Sequence, residues 1–181
     1  MYELNHPAIN HPYAYISGSS QATFKEDAYS IFEIFPRAVK GSPYVLFPSV
    51  NDNLKDYITS LKDLSMTQKF IILYGIAAGM YHMHQNCFAH LNLNPKNILL
   101  NDQLQPIINL DITSRPKSCK ENLFYLLPVF SFPYVAPELL DFKDGQTNTE
   151  IDEELSDVYS FAMIAYFLFS GIQPWNNCVG Y

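Results

Sequence analysis

The pattern of apolar and polar positions changes character near residue 50. Before that point the apolar residues come in short runs broken by prolines and polar turns. Pro7 and Pro12 block a helix through the first residues. Residues 13–17 predict a short strand, 18–27 a polar turn or loop, and 29–35 a second strand rich in β-branched and aromatic side chains. Residues 37–43 read as a turn and 44–47 as a third strand, stopped by Pro48.

Beyond residue 50 the period becomes helical. Asn51, Asp52 and Asn53 form a polar cluster suited to cap a helix. Leu54, Tyr57, Ile58 and Leu61 follow at helical spacing and predict a short amphipathic helix over 54–62. Ser65 or Thr67 caps a longer helix over 67–85. Its apolar residues lie on nearly all sides, which predicts burial, and Gly75, Ala78 and Gly79 leave room for another element to approach. Residues 97–100 and 106–110 predict a hairpin around 101–103. Residues 112–135 have three prolines and no clear period, so they read as a long connection. A short helix begins at Ala136–Leu140, and 141–154 reads as an acidic exposed loop. Ser156 or Asp157 is expected to cap a very apolar helix over 158–170, stopped by Gly171 with Pro174 beyond. No internal repeat is visible. Short strands followed by helices and one hairpin place the chain in the α+β class, as a single domain.

Composition narrows the picture. The chain has 181 residues, 48% of them apolar and 15% aromatic. That is enough to bury a core and argues against disorder. A net charge of −7, with no basic stripe, argues against nucleic acid or an anionic membrane face as partner. The longest apolar run, 161–169, is too short to span a bilayer and reads as a core helix. No basic-then-apolar leader is visible at the start. Three widely spaced cysteines, Cys87, Cys119 and Cys178, read as thiols of a reducing compartment, so the cytoplasm is expected. The seven glycines form no Gly-x-Gly-x-x-Gly and no Gly-Lys-Ser/Thr, so a backbone phosphate cradle of that kind is missing from this sequence.

Candidate chemistry concentrates in residues 90–100, HLNLNPKNILL, followed by Asp111 after the hairpin. These residues resemble the catalytic loop of protein kinases, His-Arg-Asp-Leu-Lys-Pro-x-Asn-Ile-Leu-Leu. Asp111-Ile112-Thr113 falls where Asp-Phe-Gly would stand, and Ala136-Pro137-Glu138 is an intact Ala-Pro-Glu. Ser156–Phe161, with Gly171 and Pro174-Trp175, is similar to the buried helix that supports the larger kinase lobe. Asn5–Ile9 looks like the turn before the fourth kinase strand. The resemblance covers nearly the whole chain and is closest to tyrosine-kinase-like or Ser/Thr kinases. It implies a remnant N-lobe and hinge over 1–50 and a partial C-lobe over 51–181. Against the family pattern, the chain begins after the Gly-rich loop, the strand-three Lys and its Glu partner. It ends before the Arg that would pair with Glu138.

The parent fold carries ATP-dependent phosphoryl transfer to a protein hydroxyl. The resemblance puts Leu46 at the gatekeeper, Phe47 and Ser49 in the hinge, and Leu99 on the floor of an adenine pocket. Asn97 and Asp111 would hold magnesium through oxygen donors, although the same two residues also read as a structural hydrogen-bonding pair. ATP and magnesium are thus implied, but weakly. The departures argue against activity. The catalytic base, which would accept the substrate hydroxyl proton, is Asn92, a neutral amide, and loss of a general base costs about 10²–10⁴-fold. The loop Lys is Asn94. The Arg that would receive an activation-loop phosphate is Leu91, so phosphorylation at Ser114, Ser118 or Ser131 should not switch the molecule by that route. His90 is expected to be a structural residue. His82, His84, Cys87 and His90 have zinc-type side chains, but His82 and His84 do not share a helix face, so no zinc is expected. The first expectation is a pseudokinase or scaffold. An active divergent kinase with an incomplete gene model and a non-functional fragment are the alternatives. Substrate and protein partner stay open.

Overall fold

Three helices among the described residues begin on a side-chain oxygen. In the computed structural model, residues 4–10, 14–16, 22–23, 44–46, 52–60, 63–110, 114–116, 132–140 and 151–176 are described. Helix α1 (Leu54–Thr59) starts where Asn53 accepts from the Asp56 amide at 2.9 Å. Helix α2 (Met66–Gln85) starts with a capping box. Ser65 Oγ accepts from the Gln68 amide at 3.3 Å, and Gln68 Oε1 accepts from the Ser65 amide at 2.8 Å. The short helix α3 spans Pro137–Leu140. Helix α4 (Glu153–Ser170) is capped by Asp152, whose Oδ1 accepts from Glu154 and Leu155 amides at 3.0 and 3.2 Å.

The chain forms two compact units, Met1–Ile9 with Val50–Tyr181, and Asn10–Ser49. In the second, β1 (Ala14–Ile16) lies between β2 (Ala22–Thr23) and β3 (Tyr44–Leu46), both antiparallel to it. Strand β2 falls inside the stretch read as a turn. The strand expected at 29–35 lies outside the described residues. In the first unit, β4 (Asp52–Asn53), β6 (Ile98–Leu100) and β7 (Pro106–Ile108) form an antiparallel sheet in the order β4-β6-β7. β5 (Phe88–Ala89) pairs with β8 (Arg115–Pro116). These two-residue strands carry too little periodicity to read from sequence, as does the 3-10 turn Phe132–Tyr134.

One apolar core ties this unit together. Ile72, Ile76, Met80 and Met83 of α2 meet Ile98, Leu100 and Ile108 of the hairpin and Ile164 and Leu168 of α4. Gly75 makes the helix–hairpin approach possible, because a Cβ there would stand 2.5 Å from Pro106 Cγ. Residues 4–9 belong to this unit because the Ala8 carbonyl accepts from the Ile108 amide at 2.7 Å and Ile9 bridges Ile108. His6 stacks on His82 of α2 with ring centroids 5.2 Å apart.

Two expectations change here. Helix α2 buries one face, whereas Met66, Phe70, Ile71, Tyr74 and Tyr81 are exposed. The buried face packs against the hairpin and α4. Helix α4 begins at Glu153, upstream of the expected Ser156 or Asp157 cap, because both side chains turn inward to long-range partners. No helix among the described residues is long and apolar enough to cross a membrane.

Candidate functional site

The loop between β5 and β6 is built around two buried anchors, His90 and Asp157. Both His90 ring nitrogens are engaged. Nε2 lies 3.1 Å from the Asn109 carbonyl, so it must donate, and Nδ1 then accepts from the Asn92 amide at 3.3 Å. That pattern assigns the ring's donor to Nε2 and its acceptor to Nδ1. Asp157 reaches the loop from α4, far along the chain. Its Oδ2 accepts from the His90 amide at 2.9 Å and its Oδ1 from the Leu91 amide at 2.7 Å. His84 Nε2 donates to Oδ2 at 3.0 Å. A buried carboxylate with three donors satisfies the rule that interior charge is paired and hydrogen-bonded. His82, His84 and His90 therefore have separate tasks, on His6, Asp157 and Asn109 respectively. Among the described residues no group of three or more His, Cys, Asp or Glu is placed to hold a metal ion.

Downstream of His90 the loop is held by amides. Asn92 is 5% exposed and Asn94 2%. The Asn94 amide nitrogen donates to the Asn92 carbonyl at 2.8 Å and lies 3.3 Å from Asn92 Oδ1. Asn94 Oδ1 accepts from the Lys96 amide at 2.9 Å. Asn97 Nδ2 donates to the same Asn92 carbonyl at 3.0 Å. Backbone bonds close the frame. Asn97 N donates to Asn94 O at 2.9 Å, Lys55 N of α1 to Pro95 O at 3.1 Å, and Asn109 N to Asn97 O at 2.8 Å.

Asn92, Asn94 and Asn97 are thus brought together. Leu99 is half-buried in the middle of β6, paired with Asn53 and Ile107. Leu46 ends β3 in the other unit. Phe47, Ser49 and Asp111 lie outside the described residues. For magnesium, the described residues supply one neutral oxygen donor, Asn97, where a hard dication takes a shell of oxygens. Asn97 alone does not make such a site.

Chemically, the loop offers amides where proton transfer needs a titratable group. Asn92 cannot take a proton near neutral pH, and the Asn94 amide beside its Oδ1 leaves the loop without a cation at that position. The sequence reading missed the holding role of Asp157 and His84, and the bond from Ser156 Oγ to Glu138 at 2.9 Å. The available signal was an Asp just ahead of the apolar run of α4, since carboxylates are rarely buried unless paired.

Comparison with known proteins agrees with this architecture. The family described as "Protein kinase domain" matches residues 21–180. Serine/threonine-protein kinase 16 of Mus musculus is 31% identical over 163 residues, covering 82% of this chain and 51% of that protein. The Homo sapiens protein of the same name is 29% identical over 186 residues, covering 96% and 54%. A G-type lectin S-receptor-like serine/threonine-protein kinase of Arabidopsis thaliana is 32% identical over 111 residues, covering 60% and 12%. The chain spans about half the length of the serine/threonine-protein kinase 16 sequences it matches. A family match over most of the chain, on a fold that sets the loop, hairpin and supporting helix in the kinase order, means that this chain belongs to the protein kinase family.

Proposed function

We propose that this chain is a protein kinase domain that does not catalyse phosphoryl transfer and acts as a pseudokinase scaffold for a protein partner. One observation carries the reading: the position of the catalytic base is Asn92, a buried amide whose side-chain oxygen faces the Asn94 amide at 3.3 Å. A general base has to accept a proton and reach its substrate. Asn92 meets the first condition nowhere near neutral pH, and the cation that would steady the transferring group is replaced by Asn94. ATP and magnesium binding would be weak, with Leu46, Phe47, Ser49 and Leu99 as the adenine-side residues and Asn97 and Asp111 as the magnesium-side pair. A net charge of −7 and exposed aromatic side chains favour a protein partner over nucleic acid or an anionic membrane. The widely spaced cysteines support a cytoplasmic setting.

The test is transfer of labelled γ-phosphate to a mixed peptide pool by the purified chain. No transfer is expected from the wild-type protein. Transfer by Asn92→Asp alone would confine the defect to that amide, whereas turnover by the wild type would sink the proposal. A thermal titration with magnesium and ATP complements it. With Kd at or above the ligand concentration, mass action stabilises by no more than about 0.4 kcal/mol, so Tm should stay nearly flat.

A further inference from the structure

Helix α4 has apolar residues on both of its sides. The buried face carries Ser156, Asp157, Ser160, Ile164, Phe167 and Leu168. Apart from Ser170 at the last position, its exposed residues are Leu155, Val158, Ala162, Tyr166 and Phe169. The four larger ones are 40–62% exposed. At about 100° per residue the five lie within about 80° of one another, in a single stripe. The stripe holds no charged side chain, whereas the buried face includes Ser156, Asp157 and Ser160. A surface helix normally has the opposite arrangement, so the outer face of α4 is built to be covered.

The stripe is also symmetric along the helix. Val158 and Tyr166 lie four residues to either side of Ala162, and Leu155 and Phe169 lie seven. An antiparallel copy of α4, turned about a two-fold axis at Ala162, sets Leu155 on Phe169 of the second copy and Val158 on its Tyr166. Ala162 meets its own counterpart. Each aliphatic side chain thus faces an aromatic one, and the small residue lies at the crossing, where two helices come nearest. The charges agree with this pairing. Asp152, Glu153 and Glu154 mark one end of the stripe. Lys69 of α2 stands over Phe169 at the other end, its Nζ 5.8 Å from the ring centre. Antiparallel pairing brings the acidic end of each copy to the Lys69 end of the other and sets the two helix dipoles in opposition. Parallel pairing would set acid against acid and aromatic against aromatic. We infer that a second copy of this chain covers the stripe, through an isologous α4–α4 contact. The contact uses none of the loop residues 90–97, so it stands whether or not the protein transfers phosphate.

Sedimentation equilibrium of the purified full chain tests the contact by charge. The wild type should form a dimer. Ala162→Glu places two like charges on the axis and should raise the dimer Kd by about tenfold or more, and Ala162→Lys should do the same. Mixed in equal amounts, the two variants should dimerise again, to within about threefold of the wild type, because only the mixed dimer pairs opposite charges on the axis. The position is exposed and both new residues favour a helix, so the unfolding midpoints should hold. A mixture that stays as weak as its components overturns the inference. So does a monomeric wild type, which would assign the stripe to a different occupant. So does a pair of single variants that associate like the wild type, which would put the contact on another face, such as the outer side of α2. Cysteine pairing is the second measurement, should either variant not fold. In a Cys87→Ser, Cys119→Ser and Cys178→Ser background, Ala162→Cys should oxidise to a disulfide-linked dimer. Leu155→Cys and Phe169→Cys should cross-link to each other and not to themselves. Self-linking of either one at the rate of the mixed pair overturns the antiparallel contact.

Discussion

Tyr134 stands where the 132–140 segment enters the main core, packed among buried residues that include Ile164 and Leu168. Burial pushes its phenol up to about 12 from an ordinary value of 10.0. The neutral phenol is thus favoured in the folded chain, and the unfolded chain ionises first. Its stabilising contribution is complete below pH 10 and is lost progressively as pH rises toward 12. Tyr134→Phe removes the titrating group. Denaturant unfolding of both proteins across that window should show the wild type losing stability faster than the variant, the other tyrosines cancelling in the comparison. Parallel curves would mean that Tyr134 ionises as it does in water. At this scale the chain was partly legible. Residue types at fixed spacing announced the loop, and Asn92, Asn94 and Asn97 do converge there. Spacing says nothing of rotamers, so the inward turn of Asn94 onto Asn92 was not readable. Nor was the Asp157 contact, because hydrogen bonds spanning 66 and 67 residues leave no local period.

Among elements, those with long periods were the ones the sequence specified. Helix α2 begins at its capping box and ends at Gln85, as its pattern predicts. Helix α4 was misplaced at its start because two candidate polar caps, Ser156 and Asp157, lie four and five residues inside it. Both are buried and bonded elsewhere, and the sequence alone could not rank them against Asp152. The contact between α2 and the hairpin depends on Gly75. Helix propensity favours Ala over Gly by about 0.8–1.0 kcal/mol, so a local view predicts that Gly75→Ala stabilises. Packing predicts the reverse. The new Cβ would lie 2.5 and 2.9 Å from Pro106 Cγ and Cδ, and a proline ring already fixed in β7 cannot rotate away. Overpacking of this kind typically costs about 1–3 kcal/mol. Gly75→Ala should therefore lower the unfolding midpoint despite its better propensity. A higher midpoint would show that the hairpin yields easily.

For the whole molecule, the open question is what its outer apolar side chains do in water. Met66, Phe70, Tyr74 and Tyr81 fall at helical spacing along the solvent side of α2, with Tyr74 78% exposed. Phe70 meets Phe169 of α4 edge-on at 5.5 Å, and Lys69 Nζ sits 5.8 Å from the centre of the Phe169 ring. An exposed apolar stripe of this extent favours association. We predict concentration-dependent self-association of the purified chain in sedimentation velocity. The informative variant is Tyr74→Lys with Tyr81→Lys. Phe70 is less suitable, because losing its aromatic contact would itself cost about 0.5–1.5 kcal/mol. Substituting exposed residues without such contacts usually changes stability by less than about 0.5 kcal/mol, so the unfolding midpoint should hold. The two lysines move the net charge from −7 to −5, toward neutrality. Net repulsion between chains is thereby weakened, which acts in favour of association. A fall in self-association in this variant places the contact on this side of α2. Association as strong as in the wild type would place the contact away from α2, and a wild-type chain that stays monomeric at all concentrations would show that the stripe is tolerated in water.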